Sequence, residues 1–92
     1  MKVVFDPRAI DELTHIHSWI AADNASVAAG VIETILGGIE RLTLYPSMGR
    51  AGLVEGTREW VVPRLPYIVV YQVDATTDEL RVIAVFHGAQ DR

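Results

Sequence analysis

The chain has 92 residues, half of them hydrophobic and 22% charged, with no cysteine and a formal net charge of −4. Disulfides, thiol chemistry and cysteine-based zinc sites are thereby excluded, and twelve acidic against eight basic residues give no general attraction to nucleic acid. The length fits one domain over residues 1–92. No apolar stretch approaches the roughly 20 residues of a membrane-crossing helix. Asp6, Asp11 and Glu12 near the start speak against a signal peptide, so a cytoplasmic location is expected.

Residues 1–5 read as a short strand that Asp6-Pro7 ends. Asp6 suits a helix N-cap, and Pro7 at the first helical position loses only an N–H that has no helical partner. Phe5 and Ile10 fall at the two positions of a hydrophobic staple. Ile10, Leu13, Ile16 and Ile20 then recur at helical spacing, while Asp11, Glu12, Thr14, His15 and Ser18 fill the wet side. This pattern predicts a helix over residues 7–21.

Asp23 and Asn24 break that helix and cap the next, predicted over residues 25–44 with Val31, Ile32, Ile35, Ile39 and Leu42 as its stripe. Tyr45-Pro46 stops it, because the residue before proline is pushed out of helical geometry. Gly30, Gly37 and Gly38 each cost about 1 kcal/mol relative to alanine, and close packing against another backbone is the expected reason. So short a link makes the two helices an antiparallel hairpin.

Residues 46–57 carry Pro46, Gly49, Gly52 and Gly56 and read as an irregular connection with room for a short strand near 51–54. Strands follow at 58–62, 67–73 and 80–87. Pro63-Arg64-Leu65-Pro66 and residues 74–78 turn the chain between them, and 89–92 form a polar tail. The order is β-α-α-β-β-β. The predicted class is α+β, a helical hairpin packed on one face of a small antiparallel sheet.

Strand alternation assigns faces. Leu80, Val82, Ala84 and Phe86 fall on one side of the last strand, with Arg81, Ile83, Val85 and His87 on the other. In the strand before it Tyr67, Val69, Tyr71 and Val73 share a face, and Arg58, Trp60 and Val62 do so in the first of the three. Helices on one side only leave an open face where Arg58, Trp60, Tyr71, Arg81 and His87 are the candidate functional residues. Such a group could shuttle protons through His87 and hold phosphate with Arg58 and Arg81. The sequence alone favours the other reading, in which they form a polar network on an exposed sheet face or a partner's docking site.

Other signals are weaker. His15 and His17, two apart on a helix, do not face each other, so no metal site is expected. Gly49-Arg50-Ala51-Gly52 lacks the pattern and lysine of a P-loop. Ser18, Ser26 and Ser47 have no nucleophile-elbow context. Trp19, Trp60 and Tyr45 suit either core or interface.

The runs "DPRAIDELTHIHSWIA", "IERLTLYPSMGRAGLVEGTREWVVPRLPYIVVYQVD" and "LRVIAVFHGAQDR" together resemble the RelE/ParE superfamily of bacterial toxins over essentially the whole chain. The most specific pieces are the helix exit at 42–50, "EGTRE" at 55–59, "PYIVVY" at 66–71 and "HGAQD" at 87–91. The resemblance implies the toxin of a type II toxin–antitoxin system. A cognate antitoxin is implied too, a small DNA-binding protein of ribbon-helix-helix or similar type, wrapping the toxin in a hetero-oligomer. The "GTRE…YIVVY…HGAQD" run resembles the ParE-like branch, whose members poison DNA gyrase by trapping it with cleaved DNA and need no catalytic residue or cofactor. Membrane or direct nucleic-acid binding is not expected. The RelE-like branch, which cuts mRNA on the ribosome, is the alternative; His87 would then be the acid or base, with Arg58 and Arg81 on phosphate. A basic footprint expected of that branch is missing, and a non-toxic antitoxin-binding module is the second alternative.

Overall fold

The structure, a computed structural model, describes residues 1–89. Its elements run β1 (Lys2–Phe5), α1 (Pro7–Ala21), α2 (Ala25–Leu44), a 3₁₀ turn (Pro46–Met48), β2 (Arg50–Ala51), β3 (Arg58–Val61), β4 (Tyr67–Asp74) and β5 (Glu79–His87). Both helices have the expected bounds, and they lie on one face of a five-stranded sheet ordered β1-β5-β4-β3-β2. The predicted polar tail falls largely outside the described residues.

The α+β expectation holds, with two refinements. Three of the four strand pairings are antiparallel, whereas β1 runs parallel to β5. The chain leaves β1 through the whole helical hairpin, and so long a crossover permits parallel return. The short strand of the connection is β2, one residue earlier than expected, paired to β3 through Arg50–Glu59 and Ala51–Arg58.

Helix ends are held by different groups than the sequence suggests at one of two points. Asn24 caps α2 as expected, its Oδ1 accepting from Val27 N at 3.1 Å. Asp6 sits at the N-cap of α1, yet its side chain makes no cap bond. Asp6 N donates to Val82 O at 2.9 Å, which carries Asp6 alongside β5, and its carboxylate pairs with Arg81 Nη1 at 2.8 Å. The Phe5–Ile10 staple is not supported: Ile10 is 52% exposed, and Ala9, Leu13, Ile16 and Ile20 carry the buried stripe. At 3.6 residues per turn, Ala9 stands in phase with Leu13 and Ile16, and Ile10 does not.

The core lies between hairpin and sheet. Ile16 from α1 and Ile35, Ile39 and Leu42 from α2 meet Trp60, Val69, Tyr71, Leu80, Val82 and Val85. Of the three α2 glycines, only Gly38 is closely packed, and its neighbour is the Trp60 side chain, whose ring a Cβ would overlap, rather than the backbone expected. A Cβ at Gly30 or Gly37 would meet nothing within 4 Å, so packing inside this chain does not account for them.

One irregularity changes the faces of β5. Its register with β4 passes from Val70–Ala84 to Tyr71–Val82, leaving Ile83 as an extra residue. Such a bulge inverts the alternation beyond it. Leu80 and Val82 face the hairpin as predicted. Past Ile83, however, Val85 and His87 are opposite Val69 and Tyr67 on the hairpin side, and Ala84 and Phe86 turn away.

Candidate functional site

The five sequence candidates do not converge. Tyr71 is wholly buried, its hydroxyl accepting from Gly49 N at 2.9 Å and donating to Pro46 O at 2.6 Å. Trp60 lies in the core against Gly38. Arg58 turns its guanidinium to backbone, donating to Gly49 O at 2.8 Å. Arg81 stands on the face away from the helices, paired with Asp6 at 2.8 Å. That hydrogen bond, with the adjacent negative charge, raises the Arg81 pKa above its usual value. His87, moved by the bulge to the helix side, packs edge-on against Tyr67 with ring centroids 5.7 Å apart, and its Nδ1 accepts from Ala89 N. The reason for the failed convergence is twofold: the bulge separates His87 from Arg81, and the helices cover the face that Tyr71 and Trp60 share.

Tyr71 and Arg58 have instead a common structural task. The segment after α2 exits through Tyr45-Pro46, and its backbone groups need partners because it is too irregular to supply them itself. Tyr71 takes Gly49 N–H and Pro46 C=O, and Arg58 takes Gly49 C=O. Gly49 is required there, since a Cβ would stand 2.7 Å from Tyr71 Oη and 2.9 Å from Glu59 O. Downstream, Gly52 N donates to Thr57 O at 2.8 Å, Leu53 N to Glu59 Oε2 at 3.3 Å, and Arg50 pairs with Glu59 at 3.5 Å. The whole stretch from 46 to 59 is thereby tied to the sheet.

A groove that the sequence reading missed runs between α1 and the end of β5. Its volume is about 630 Å³, and Asp11, Glu12, His15, Ile16 and Trp19 face Tyr67, Val85 and His87 across it. Trp19 is 74% exposed. β1 accompanies β5 only as far as Val82, so the edge of β5 beyond it lacks a neighbouring strand. There Val85 N donates to Glu12 Oε1 at 2.9 Å. An N–H aimed away from β4 marks Val69–Val85 as a non-hydrogen-bonded pair, which turns the Val85 carbonyl and the His87 N–H toward the same open edge. The signal available in the sequence was a tryptophan on the wet stripe of α1, four residues from His15 and eight from Asp11. Among the described residues no group of three or more histidine, aspartate or glutamate side chains is placed to hold a metal ion. No helix of these residues is long and apolar enough to cross a membrane.

This architecture is that of known bacterial toxins. A chain of the chromosomal ParDE TA system from P. aeruginosa superposes with a TM-score of 0.82 at 18% identity, covering 95% of each chain. A chain of the E. coli RelBE toxin–antitoxin complex follows at a TM-score of 0.71 and 20% identity, covering 98% of each chain. The isolated E. coli RelE toxin matches at 0.70 and 19% identity, over 99% of this chain and 87% of that one.

Sequence places the chain more narrowly. A Sinorhizobium fredii protein named as a candidate toxin, Y4kP, is 32% identical over 83 residues, 90% of this chain and 83% of that protein. The family model described as ParE toxin of type II toxin-antitoxin system, parDE, matches residues 3–92. The chain belongs to this family, within the RelE/ParE superfamily, and is a type II toxin–antitoxin toxin.

Proposed function

We propose that residues 1–92 form a single toxin domain that inhibits DNA gyrase by binding it and trapping it with cleaved DNA, without catalysis of its own. The observation carrying this reading is the dispersal of the groups that RNA cleavage would need: Arg58 is spent on backbone, Tyr71 is buried, and Arg81 and His87 lie on opposite faces of the sheet. The net charge of −4 supports it further, because a ribosome-directed enzyme needs a basic footprint. A cytoplasmic location follows from the target.

Neutralisation belongs to a cognate antitoxin, a small DNA-binding protein forming a hetero-oligomer with the toxin. The α1–β5 groove supports this reading. It joins an exposed tryptophan and apolar walls to a stretch of β5 that β1 does not pair, a combination that suits an added strand or a docked helix.

One observation favours the endoribonuclease alternative: His87 stands exposed beside Tyr67 in a groove that also holds Glu12 and His15. Inducing the chain without antitoxin separates the readings. Blocked supercoiling with accumulated DNA breaks is expected, and His87→Ala should keep that effect. Immediate translation arrest with cut mRNA, abolished by His87→Ala in a folded protein, would refute the proposal. No growth effect at all would favour the antitoxin-binding module.

A further inference from the structure

A sheet that does not close on itself keeps two outer edges, and an uncovered edge is a template for a further strand. Here one edge is β2, only two residues long, and the other is β1, which carries Lys2. A very short strand and a lysine are both common means of discouraging unwanted pairing. A third stretch of edge lies within β5. β1 accompanies β5 as far as Phe5 opposite Val82, and Pro7 then opens α1 with no N–H to extend the ladder. From residue 83 to 87 no described strand lies on that side of β5. The run Val82-Ile83-Ala84-Val85-Phe86 is apolar and uncharged, without proline or glycine, a composition prone to pair with copies of itself.

The backbone of this stretch is self-complementary. Val85 N–H points away from β4, and the N–H and C=O of one antiparallel residue share a side, so Val85 presents a donor and an acceptor outward. A second copy related by a two-fold axis at Val85 would exchange both bonds with its own Val85, as in a symmetric dimer. Glu12, in the second turn of α1, stands in that position. Its Oε1 accepts from Val85 N at 2.9 Å, and its Oε2 pairs with Arg8 Nε at 3.5 Å, which steadies the carboxylate over the strand. An ionised carboxylate only accepts hydrogen bonds. An incoming Val85 carbonyl therefore meets a negatively charged acceptor where it needs a donor.

We propose that Glu12 is a built-in guard of the β5 edge, occupying the hydrogen-bond position through which a second copy of this chain would otherwise add its own β5. The need for it arises from the fold. The chain must leave the sheet at Pro7 to build the helical hairpin, which uncovers an apolar strand end, and Glu12 on the departing helix reaches back to cover it. The role is the same whichever target the toxin has.

Sedimentation of the full chain tests this at up to about 1 mM protein, where weak pairs are populated, and at about 0.5 M salt, where the repulsion between two acidic copies is screened. The wild type should remain a monomer. Glu12→Ala should self-associate at least about tenfold more tightly, while Glu12→Gln, which keeps an oxygen acceptor, should match the wild type. Hydrogen exchange at the Val85 amide should be fast in dilute Glu12→Ala and slow again as copies pair. Thermal melting establishes that each variant is folded. Should Glu12→Ala fail to fold, Arg8→Ala, at an exposed residue that steadies the carboxylate, should shift association in the same direction but less, and no shift would overturn the proposal. A folded Glu12→Ala no more associated than the wild type would overturn it as well. So would association that leaves Val85 exchange untouched, or Glu12→Gln associating as strongly as Glu12→Ala. Tighter binding of the cognate antitoxin by Glu12→Ala without self-association would give the edge to the antitoxin and refute a guard against a second copy.

Discussion

Tyr71→Phe is the sharpest test of how the fold is held. The substitution removes one oxygen and leaves the ring in place. Gly49 N–H loses its acceptor at 2.9 Å and Pro46 C=O loses its donor at 2.6 Å. Gly49 is buried, and Pro46 is half-buried. A buried polar group stripped of its partner costs about 1–3 kcal/mol, and the half-buried carbonyl falls at the low end of that range. The expected loss is about 2–4 kcal/mol. For a chain of this size the total stability is roughly 5–14 kcal/mol, so a large share would go. Thermal midpoints fall about 4–8 °C per kcal/mol in such domains, giving a drop on the order of 8–32 °C. Urea unfolding followed by circular dichroism measures the difference, with Tyr45→Phe as the control, since Tyr45 is 65% exposed and should lose almost nothing. A Tyr71→Phe loss below about 0.5 kcal/mol would refute the argument that this hydroxyl pins the helix exit.

The α2 glycines should answer with opposite signs. Gly38→Ala drives a methyl into the Trp60 ring and should destabilise by about 1–3 kcal/mol, whereas Gly30→Ala and Gly37→Ala meet open space and should each stabilise by roughly 0.5–1 kcal/mol. Chemical denaturation of the three variants checks this. Glu12→Ala should cost about 1 kcal/mol and lose protection of the Val85 amide in hydrogen exchange, while Glu12→Gln, which keeps an oxygen acceptor, should retain it. Hydrogen bonds from the Thr76 side chain, then from the Thr76 and Thr77 amides, hold Asp74 below its ordinary 3.8. Its stabilising contribution is thus present above the unfolded value and lost as pH falls through the folded one. A carbon-13 titration of the Asp74 carboxyl should show a midpoint below 3.8, and a midpoint at or above it would be inconsistent with the loop.

Much of the architecture was legible because it rests on local signals. Pro7, Asn24 and Pro46 mark helix boundaries through their own backbone chemistry, and both helices fall where they predict. Faces were legible only where a strand is regular. Ile83 carries no mark that a bulge sits there, because a bulge is set by how β5 fits its neighbours, and so His87 was placed on the wrong side. The expected site failed for a related reason: Tyr71 and Arg58 look chemical in sequence, yet each is engaged by a backbone carbonyl of the segment that follows α2. The groove escaped notice because it needs α1 and β5 together.

The parallel pairing of β1 with β5 has a consequence for how the molecule comes into being. Residue 2 meets residue 79 and residue 5 meets residue 82, so the earliest strand made waits for the latest. The helical hairpin can assemble from neighbours while synthesis proceeds, but its apolar underside has no finished sheet to lie on until β5 emerges. Closing so long a loop is slow relative to local contacts. A growing chain therefore has helices without a completed core, and the sheet is finished only when β5 is inserted between β1 and β4.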